Sequence, residues 1–285
     1  MSVSVVIPTR DRPEKLARCL AALRGQAAEV IVVDDGSREP EAVARAVHAA
    51  GVELVRLGGR GPAGARNAGV AAASGEVVCF TDDDCEPEDG WAEALAAPIL
   101  AGEAASTAGR TVVGDDASAA DRAWQAIANQ LQLAGAEPGS PSPGFAATCN
   151  LACSRTLLSE LPFDESFLSA AGEDRDWGAR AAAQNSAPHF VPNAVVTHRP
   201  DLTTRTFLRQ QYRYGRGASQ FRTANPSRGL GHPSFYFSLL RSGFASGLAP
   251  GCLVLASQLA IATGTLKERR LGTPRTGGYS KRRPN

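Results

Sequence analysis

The sequence has almost no excess of either charge. Its 285 residues carry 30 lysines and arginines against 29 aspartates and glutamates, which gives a net charge of +1. Proteins that attract nucleic acid or acidic partners through their overall field carry a clear basic excess. The balance of charge therefore gives no support to a nucleic-acid partner, and we expect none.

Closely paired cysteines are also missing. The six cysteines are scattered along the chain, and no two of them form a Cys-x-x-Cys pair. Zinc sites and disulfide frameworks have characteristic spacings, so this distribution favours reduced thiols in a cytoplasmic protein. Met1 is followed directly by a strand-like segment, and we therefore expect no secretory leader.

Two common nucleotide-binding motifs are absent as well. The first strand-to-helix turn, at residues 6–10, lacks Gly-x-Gly-x-x-Gly, which disfavours a dinucleotide-dependent dehydrogenase. The glycine-rich segment at residues 58–64 is not followed by Gly-Lys-Ser or Gly-Lys-Thr, so it is not a phosphate loop of the NTPase type. A nucleotide site in this chain must be built in another way.

What the sequence does contain is an alternation of strands and helices. Apolar runs at residues 3–7, 29–33 and 52–57 predict strands, and the segments between them carry apolar residues at helical spacing. Pro13 suits the start of the first helix. This alternation predicts a parallel sheet with right-handed crossovers, which is a nucleotide-binding type of architecture. The length allows one large domain or two fused halves.

The most distinctive segment is residues 75–85, where a short apolar run leads directly into Asp82, Asp83 and Asp84. Such a run predicts a buried central strand, and open α/β sheets bind ligands beyond the carboxyl ends of their strands. Adjacent carboxylates repel one another, and a hard divalent cation would offset this repulsion. If strand geometry continues, Asp82 and Asp84 point the same way and could share one Mg²⁺ or Mn²⁺ ion. A solvated turn is the alternative.

Arg66 is the one charged residue of a small-residue segment, 65–73, that we expect to be a helix. A cation near a helix start opposes the helix dipole, so Arg66 either faces an anion such as phosphate or extends to solvent. Four further segments are predicted from periodicity and composition. They are a helix that starts at residue 86 and runs to 100, a strand within 105–114, a helix within 115–133, and a loop at 134–144 that is a lid or a surface connector.

The second half of the chain carries fewer clear signals. Glu173 and Asp174 begin a predicted helix, where acidic residues suit the dipole, and Asp176 is spaced to pair with Arg180. A predicted strand, which we place at the edge of the sheet, ends in His198. A histidine at such a position is a structural residue or, as neutral imidazole, a metal ligand.

The C-terminal region combines a basic helix with a long uncharged segment. Arginines recur at every fourth position from Arg205 to Arg213, a pattern of a solvated face or of a surface for phosphates and anionic lipids. Residues 242–266 carry no charge. Pro250 and several glycines interrupt them, which favours two short helices, on the core or at a membrane interface, over a membrane-spanning helix. A basic tail follows at residues 281–283.

Several of these segments together resemble the family 2 glycosyltransferases of the GT-A fold. The matching motifs are Val-Val-Ile-Pro-Thr-Arg at 5–10, Val-Val-Asp-Asp-Gly-Ser at 32–37, Ala-Arg-Asn-Ala-Gly at 65–69, Phe-Thr-Asp-Asp-Asp at 80–84, Gly-Glu-Asp-Arg-Asp-Trp at 172–177, and His198. The resemblance covers residues 3–215 and depends on the order of these short motifs. It implies an α/β fold of the GT-A type, with a Rossmann-like, mostly parallel central sheet flanked by helices and a C-terminal helical extension.

The resemblance also implies roles for individual residues. The implied donor-binding residues are Pro8, Thr9, Arg10, Asp34, Asp35, Arg66, Asp82 and Asp83, although alternation along the chain would turn Asp83 into local structure. The implied metal ligands are Asp84, Asp82 and His198, and the implied general base is Asp174. The acceptor or diphosphate side is implied to include Glu173, Trp177, Gln210, Arg213 and Tyr214. The last three resemble a Gln-x-x-Arg-Trp motif of processive members, but Tyr214 replaces Trp and the long membrane region of those enzymes is missing, so we do not expect a processive polymer synthase.

The implied reaction is an inverting transfer of a sugar from a nucleotide-diphospho donor, most favourably UDP-linked, to a hydroxyl acceptor, with Mg²⁺ or Mn²⁺ at the leaving diphosphate. The acceptor would be a glycan of the cell envelope, a lipid-linked molecule or a secondary metabolite, and the enzyme would be cytoplasmic with peripheral contact to the inner face of the membrane. We expect residues 1–110 to bind the donor, 111–205 to bind the acceptor and catalyse, and 206–285 to form the extension. Two alternatives remain: a nucleotidyltransferase, which would need a Gly- and Lys-rich loop near the N-terminus, and a non-catalytic nucleotide-sugar-binding protein.

Overall fold

A computed structural model describes residues 2–133, 142–143, 145–167, 172–224 and 232–271 of the chain. The strands are β1 Val3–Thr9, β2 Glu29–Asp34, β3 Glu53–Arg56, β4 Val77–Phe80, β5 Cys85–Pro87, β6 Ser106–Val113, β7 Leu151–Ser154 and β8 His189–His198. The helices are α1 Pro13–Ala22, α2 Pro40–Ala50, α3 Gly61–Ala72, α4 Trp91–Leu100, α5 Ala119–Leu133, α6 Arg155–Glu160, α7 Glu173–Ala183, α8 Thr204–Ala224, α9 Pro233–Ala245 and α10 Leu248–Leu271. Most of the loop predicted at 134–144, and the basic tail, lie outside the described residues.

The N-terminal half of the sheet is parallel, as the alternation of strands and helices predicts. The strand order is β3-β2-β1-β4-β7-β6-β8-β5, and the first four strands run in parallel. Side chains of β1 alternate between the two faces: Val5 and Ile7 join the core beneath α1, α2 and α4, whereas Val6 joins the core beneath α3. Both faces are therefore covered, which explains why these strands read as continuous apolar runs.

The other half of the sheet is mixed and corrects two predictions. Strand β7 is antiparallel to β4 and β6, β8 is parallel to β6, and β5 is antiparallel to β8. Strand β8 is thus not at the edge, because β5 covers it. Residues 85–87, predicted as the start of a helix, form this edge strand, where Pro87 is tolerated, and the helix begins only after Gly90, which has a φ of 76°.

The C-terminal helices pack on α5 and form a separate core. Its buried members include Ile127 from α5, Phe207 from α8, Leu239 from α9 and Val254 from α10. Helices α8 and α10 approach so closely that a Cβ at Gly215 would collide with the backbone of the other helix. Helix α5 belongs to the predicted acceptor-binding part, residues 111–205, yet it shares this core with the predicted extension, residues 206–285. The boundary between these two parts remains a prediction.

The uncharged segment divides into helices at a different point from the one predicted. Helix α9 ends at Ala245, Gly247 adopts a φ of 123°, and α10 then runs over 24 residues. Pro250 lies in the first turn of α10, where its missing N–H group breaks no helical hydrogen bond, so the prediction of a break at this residue is wrong. Among the described residues, the segment Leu248–Arg270 is long and apolar enough to cross a membrane, and the rest of the chain buries only 28% of its most apolar window.

Candidate active site

The candidate site lies at the edge of the sheet where β1, β2 and β4 end. Thr9 and Asp34 are paired at the ends of β1 and β2, and the N–H of Asp35 donates to the carbonyl of Thr9 at 2.9 Å. The N–H of Thr81, which follows β4, donates to the carbonyl of Val6 at 3.3 Å. Because these strands are parallel, their carboxyl ends bring the predicted donor-binding motifs to one edge.

Asp34 and Asp35 have different local roles. Asp34 accepts a hydrogen bond from the N–H of Ser37 at 3.0 Å, which closes the turn after β2. The Asp35 carboxylate accepts hydrogen bonds from the N–H groups of Arg60 and Gly61 at 2.6 and 2.9 Å. It therefore ties the end of β2 to the first residues of α3. Pro8 is half-buried and Arg10 is exposed beside them. The donor contacts of these residues remain predictions.

The three consecutive aspartates point to three different partners. Strand β4 ends at Phe80, and residues 83–84 form a turn in which the N–H of Cys85 donates to the carbonyl of Asp82 at 3.1 Å. Asp82 and Asp84 were predicted to share one ion on the condition that strand geometry continues through them. The chain leaves strand geometry after Phe80, so this condition is not met. Asp82 lies toward α3, whereas Asp84 lies toward β8.

Asp83 is committed to the interior of the protein. Its side chain is 2% exposed, accepts a hydrogen bond from the hydroxyl of Thr9 at 2.7 Å and pairs with Arg12 at 3.0 Å. Burial raises the pKa of Asp83 to about 7, although Arg12 opposes this shift. Its side chain is therefore held in local structure, which corrects its placement among the donor-binding residues.

Asp84 and His198 form the polar centre of the site. In the pairing of β5 with β8, Cys85 lies opposite His198, and this register brings His198 Nε2 to 3.2 Å from Asp84 Oδ1. Burial alone would raise the pKa of Asp84, but His198 and Arg12 hold it well below its usual range. Burial opposes protonation of His198, but Asp84 outweighs it and raises the pKa of His198.

This pair fits a hard divalent cation. Side-chain ligand atoms of Asp84, Cys85 and His198 lie within 4.8 Å of one another. Two ligands of an octahedral ion at about 2.1 Å lie about 3 Å apart, close to the separation of Asp84 from His198. A carboxylate oxygen suits both Mn²⁺ and Mg²⁺, whereas an imidazole nitrogen suits transition metals, so His198 favours Mn²⁺ over Mg²⁺ at this pair. Arg12, at 2.7 Å from Asp84, is 47% exposed and can therefore move aside.

Arg66 is buried between two carboxylates. Because α3 begins at Gly61, Arg66 lies in its second turn, not at its start. The guanidinium donates to Glu173 Oε1 at 3.1 Å and to Asp82 Oδ1 at 3.2 Å, and lies 5.9 Å from the centre of the Phe163 ring. Burial alone would lower the pKa of Arg66, but the two carboxylates raise it. Arg66 is buried against these carboxylates, so the alternative in which it extends to solvent is wrong, and a contact of Arg66 with a phosphate stays a prediction.

Glu173 and Asp174 begin α7 but differ in their surroundings. Glu173 is 4% exposed, and burial, reinforced by Asp174, raises its pKa to about 7. Asp174 is half-buried, accepts a hydrogen bond at Oδ1 from the N–H of Arg175 at 2.8 Å, and has its pKa raised by burial. Further along the helix, Asp176 and Arg180 form the predicted pair at 2.7 Å. Of Glu173 and Asp174, it is Asp174 that combines a raised pKa with partial exposure.

The remaining predicted acceptor residues separate into buried and exposed groups. Trp177 is 1% exposed, its indole N–H donates to the carbonyl of Leu161 at 2.9 Å, and it stacks on Phe163. It belongs to the core beneath α7, which corrects its placement on the acceptor side. Tyr214 lies close enough to Trp124 for a hydrogen bond, and burial raises its pKa.

Two residues of the site were missed from the sequence. Arg12, which precedes α1, contacts both Asp83 and Asp84, and its side chain makes no capping hydrogen bond. Trp124 of α5 packs against His198 in a tilted arrangement, with ring centres 4.3 Å apart and ring planes at 58°. Arg12 follows β1, which pairs with β4, the strand that leads into the three aspartates. A basic residue at this position is a signal that could have identified Arg12 as a partner of these aspartates. Trp124 gave no such signal, because its contact depends on how α5 packs.

Several buried polar atoms around the site have no hydrogen-bond partner in the part of the chain that the structure describes. They are Arg66 Nε, Thr81 Oγ1, Glu173 Oε2, His198 Nδ1 and Gln210 Oε1. Buried polar atoms in native proteins nearly always have partners, and the exceptions concentrate where a ligand or an ordered water binds. Comparable atoms occur elsewhere, in Gln125, Arg180, Gln211 and Arg222, but Thr81 and His198 are the ones that follow or end the strands at this edge, where a polar ligand would satisfy them. Arg213 is exposed on α8 nearby.

The sequence matches known glycosyltransferases. Residues 4–161 match the model for glycosyl transferase family 2, and residues 116–265 match the model for glycosyl transferase family group 2. The chain is 30% identical over 232 residues to the pre-mycofactocin glycosyltransferase of Mycobacterium tuberculosis, which covers 79% of this chain and 48% of that protein. It is 29% identical over 231 residues to glycosyltransferase AglE of Haloferax volcanii, which covers 76% of this chain and 73% of that protein. The chain thus spans about half the length of the first of these relatives.

The fold is similar to that of a solved glycosyltransferase. Glucosyl-3-phosphoglycerate synthase from Mycobacterium tuberculosis superimposes with a TM-score of 0.56 at 20% identity, over 78% of this chain and 79% of that one. Another crystal structure of that synthase contains Mn²⁺, uridine-diphosphate-glucose and phosphoglyceric acid. At this level of identity the likeness concerns the fold, and it confirms the predicted GT-A architecture. Because the family model covers more than half of the residues, this chain belongs to glycosyl transferase family 2.

Proposed function

We propose that this chain transfers a sugar with inversion from a UDP-type nucleotide-diphospho donor to a hydroxyl acceptor, using Mn²⁺ or Mg²⁺. One observation carries the proposal: the carboxyl edge of the sheet brings the Asp84–His198 pair together with Arg66, which connects that edge to the helix bearing Asp174. Family membership supports glycosyl transfer from a nucleotide sugar. The metal and UDP found with a protein of the same fold support these choices of cofactor and donor.

Asp174 is suited to accept the proton of the acceptor hydroxyl. Within the described part of the chain its carboxylate accepts one hydrogen bond, from the N–H of Arg175, so lone pairs remain for a substrate. Its raised pKa makes it a stronger base than an ordinary aspartate. Glu173 is less suited because it is buried and tied to Arg66. A single positioned carboxylate on the acceptor side suffices for a direct displacement, which inverts the sugar.

Asp84 and His198 would hold the metal ion, and Cys85 lies close to both. When bound, the ion would neutralise charge on the departing diphosphate. Arg66 offsets the charges of Asp82 and Glu173, so that an anionic donor does not meet uncompensated carboxylates at this edge. Holding donor and acceptor in line would supply much of the acceleration.

For the acceptor, we propose a lipid-linked molecule reached from the inner face of a membrane. Leu248, Leu255, Leu259 and Leu266 are exposed by 52–77% and recur at intervals of 7, 4 and 7 residues, which places them on one stripe of α10. Basic residues follow directly at the end of the helix, where they would meet anionic headgroups. We expect this protein to sediment with anionic vesicles and Leu255→Gln/Leu259→Gln to lose that binding. A dimer that the same variant disrupts, without vesicle binding, would instead make the stripe a protein interface.

The transfer itself is tested by product release. A panel of nucleotide sugars is incubated with Mn²⁺, with and without a chelator, and the nucleotide products are separated by chromatography. Release of nucleoside diphosphate that stops on chelation supports the proposal. Release of pyrophosphate would identify a nucleotidyltransferase, and donor binding without any release, even with an extract of candidate acceptors, would identify a non-catalytic binding protein. Chelator-insensitive release of the diphosphate would remove the metal from the account.

A further inference from the structure

Three arginines, on the neighbouring helices α7, α8 and α10, are near enough for their charges to interact, and one of them, Arg175, directly follows the proposed base Asp174. Arg222 of α8 donates from Nη2 to the hydroxyl of Thr265 on α10 at 3.4 Å. Arg269 follows Thr265 by four residues and therefore lies on the same face of α10, one turn further on. Burial lowers the pKa of Arg222, and the neighbouring positive charges of Arg269 and Arg175 lower it further. We call Arg175, Arg222 and Arg269 the arginine cluster.

The packing of α7 against α8 explains how Arg175 reaches the cluster. Gly172, which precedes α7 with a φ of 106°, lies so close to α8 that a Cβ on it would be 3.2 Å from the carbonyl oxygen of Gly217. Arg222 lies five residues further along α8, which is about 7.5 Å at 1.5 Å per residue. The Arg175 guanidinium lies 5.6 Å from the centre of the Phe145 ring. Burial raises the pKa of the neighbouring Asp174, and the positive charge of Arg175 opposes part of this rise. The cluster is thus next to the proposed base.

The cluster has no matching negative charge in the described structure. None of its three guanidinium groups forms an ion pair with a described residue, and Arg222 Nε is buried without a hydrogen-bond partner. The segments outside the described residues contain one acidic residue, Glu137, against five lysines and arginines. Like charges brought together and partly removed from water are unfavourable unless an anion binds among them. This arrangement is typical of a binding site for an anionic ligand.

We propose that the arginine cluster binds a phosphate group on the acceptor and thereby directs the acceptor hydroxyl toward Asp174. This inference rests on the proposed glycosyl transfer and specifies its acceptor. Guanidinium groups match phosphate geometry with paired hydrogen bonds, which explains the use of arginines at all three positions. In the proposed reaction the donor diphosphate would be met by the metal ion that Asp84 and His198 would hold, beside the strands, whereas the cluster lies on the helices α7, α8 and α10. The phosphate belongs either to a soluble phosphorylated molecule or to a lipid headgroup.

Phosphate binding is measured on the whole chain by calorimetry, without donor and with a chelator present, so that the result is independent of transfer and of the metal. The probes are inorganic phosphate, glycerol 3-phosphate, and vesicles that contain phosphatidic acid. We expect Arg222→Gln and Arg269→Gln each to weaken binding at least tenfold. Arg45→Gln, an exposed position on α2 outside the cluster, is the matched control and should bind as the parent does.

A second readout separates a binding role from a structural one. Because Arg222 carries a partly buried charge without an ion pair, Arg222→Gln should be at least as heat-stable as the parent in the absence of phosphate, and should lose the rise in Tm that phosphate causes. If Arg222→Gln does not fold, the exposed Arg269→Gln carries the test. Unchanged phosphate affinity in the cluster variants, or an equal loss in Arg45→Gln, overturns the proposal.

The probes also identify the source of the phosphate and keep the two proposals separable. Cluster-dependent binding of glycerol 3-phosphate supports a soluble phosphorylated acceptor and would contradict the lipid-linked acceptor proposed above, whereas cluster-dependent binding to vesicles alone supports a lipid phosphate. Phosphate binding at the cluster without any diphosphate release would contradict glycosyl transfer but not the anion site. Diphosphate release without cluster-dependent phosphate binding would contradict only the anion site.

Discussion

Replacement of Arg66 by methionine tests how the site is held together. The guanidinium is 5% exposed and contacts Glu173, also 5% exposed, and Asp82, which is 34% exposed. Arg66→Met removes the charge and retains an extended apolar side chain. It leaves two carboxylates at the site without the cation between them.

The size of the effect follows from these exposures. Removing one partner of a buried ion pair costs about 3–5 kcal/mol, whereas an exposed pair contributes about 0–1 kcal/mol. The Glu173 contact belongs to the first class, and the Asp82 contact lies near the second. We therefore expect the free energy of unfolding of Arg66→Met to fall by about 3–5 kcal/mol above pH 7, where Glu173 is ionised.

The loss should shrink in acid. The folded chain holds the Glu173 proton up to a pKa of about 7, whereas the usual value is 4.5. The folded state therefore binds more protons than the unfolded state between these values, and its stability falls as the pH rises through this interval. Near pH 5.5 Glu173 is neutral and does not need Arg66, so the loss should be about 1–3 kcal/mol, the cost of unsatisfied polar groups. Asp83 has a similarly raised pKa, but it is present in both proteins and cancels in the difference.

Urea unfolding of parent and variant, followed by circular dichroism near pH 5.5 and near pH 8, measures both values. The control is the same Arg66→Met change made in a Glu173→Gln background: its loss relative to Glu173→Gln alone should be smaller than the loss near pH 8 in the parent and equal at both pH values, because no Glu173 proton is left to titrate. An equal loss at both pH values in the parent background, or an equally large loss in the Glu173→Gln background near pH 8, would show that Arg66 is held by packing and not by charge.

Two further predictions concern the metal pair and the packing of the sheet. Since Asp84 raises the pKa of His198, protons should compete with the metal: Mn²⁺ affinity, measured by calorimetry, should fall several-fold from pH 8 to pH 6, and His198→Gln should bind weakly with little pH dependence. A flat profile in the parent would remove His198 from the metal site. A Cβ at Gly69 would overlap the side chain of Val6, so Gly69→Ala should lower the free energy of unfolding by about 1–3 kcal/mol, whereas Gly178→Ala, which meets no neighbour, should not. Equal stability of the two variants would contradict the close approach of α3 to β1.

The parts of the fold that the sequence predicts correctly are those with a local signal. Residues 3–7 and 29–33 are apolar without interruption because both faces of their strands are covered, and Pro13 stands at the first position of α1. The order of the acidic motifs along the chain identified the family and its fold. Each of these signals can be read within a few residues, independently of the rest of the molecule.

The errors concern contacts between distant parts of the chain. Strand β5 has three residues, too few for a pattern, and its pairing with β8 creates the contact of Asp84 with His198. The partners of Arg66 lie 16 and 107 residues away, and neither could be inferred from helix position. Trp177 is in a functional motif, yet the tertiary structure buries it. The catalytic arrangement therefore depends on packing that the motifs do not specify.

The role of Asp174 is tested most directly by the transfer rate of Asp174→Asn at saturating donor, with donor affinity measured separately. General base catalysis contributes about 10²–10⁴-fold, so the rate should fall by at least about 100-fold while donor affinity stays within about threefold of the parent. Asp176→Asn, the same substitution two residues further along α7, should retain most of the activity. A transfer rate near that of the parent in Asp174→Asn, or an equal loss in Asp176→Asn, would contradict the assignment of Asp174 as the base.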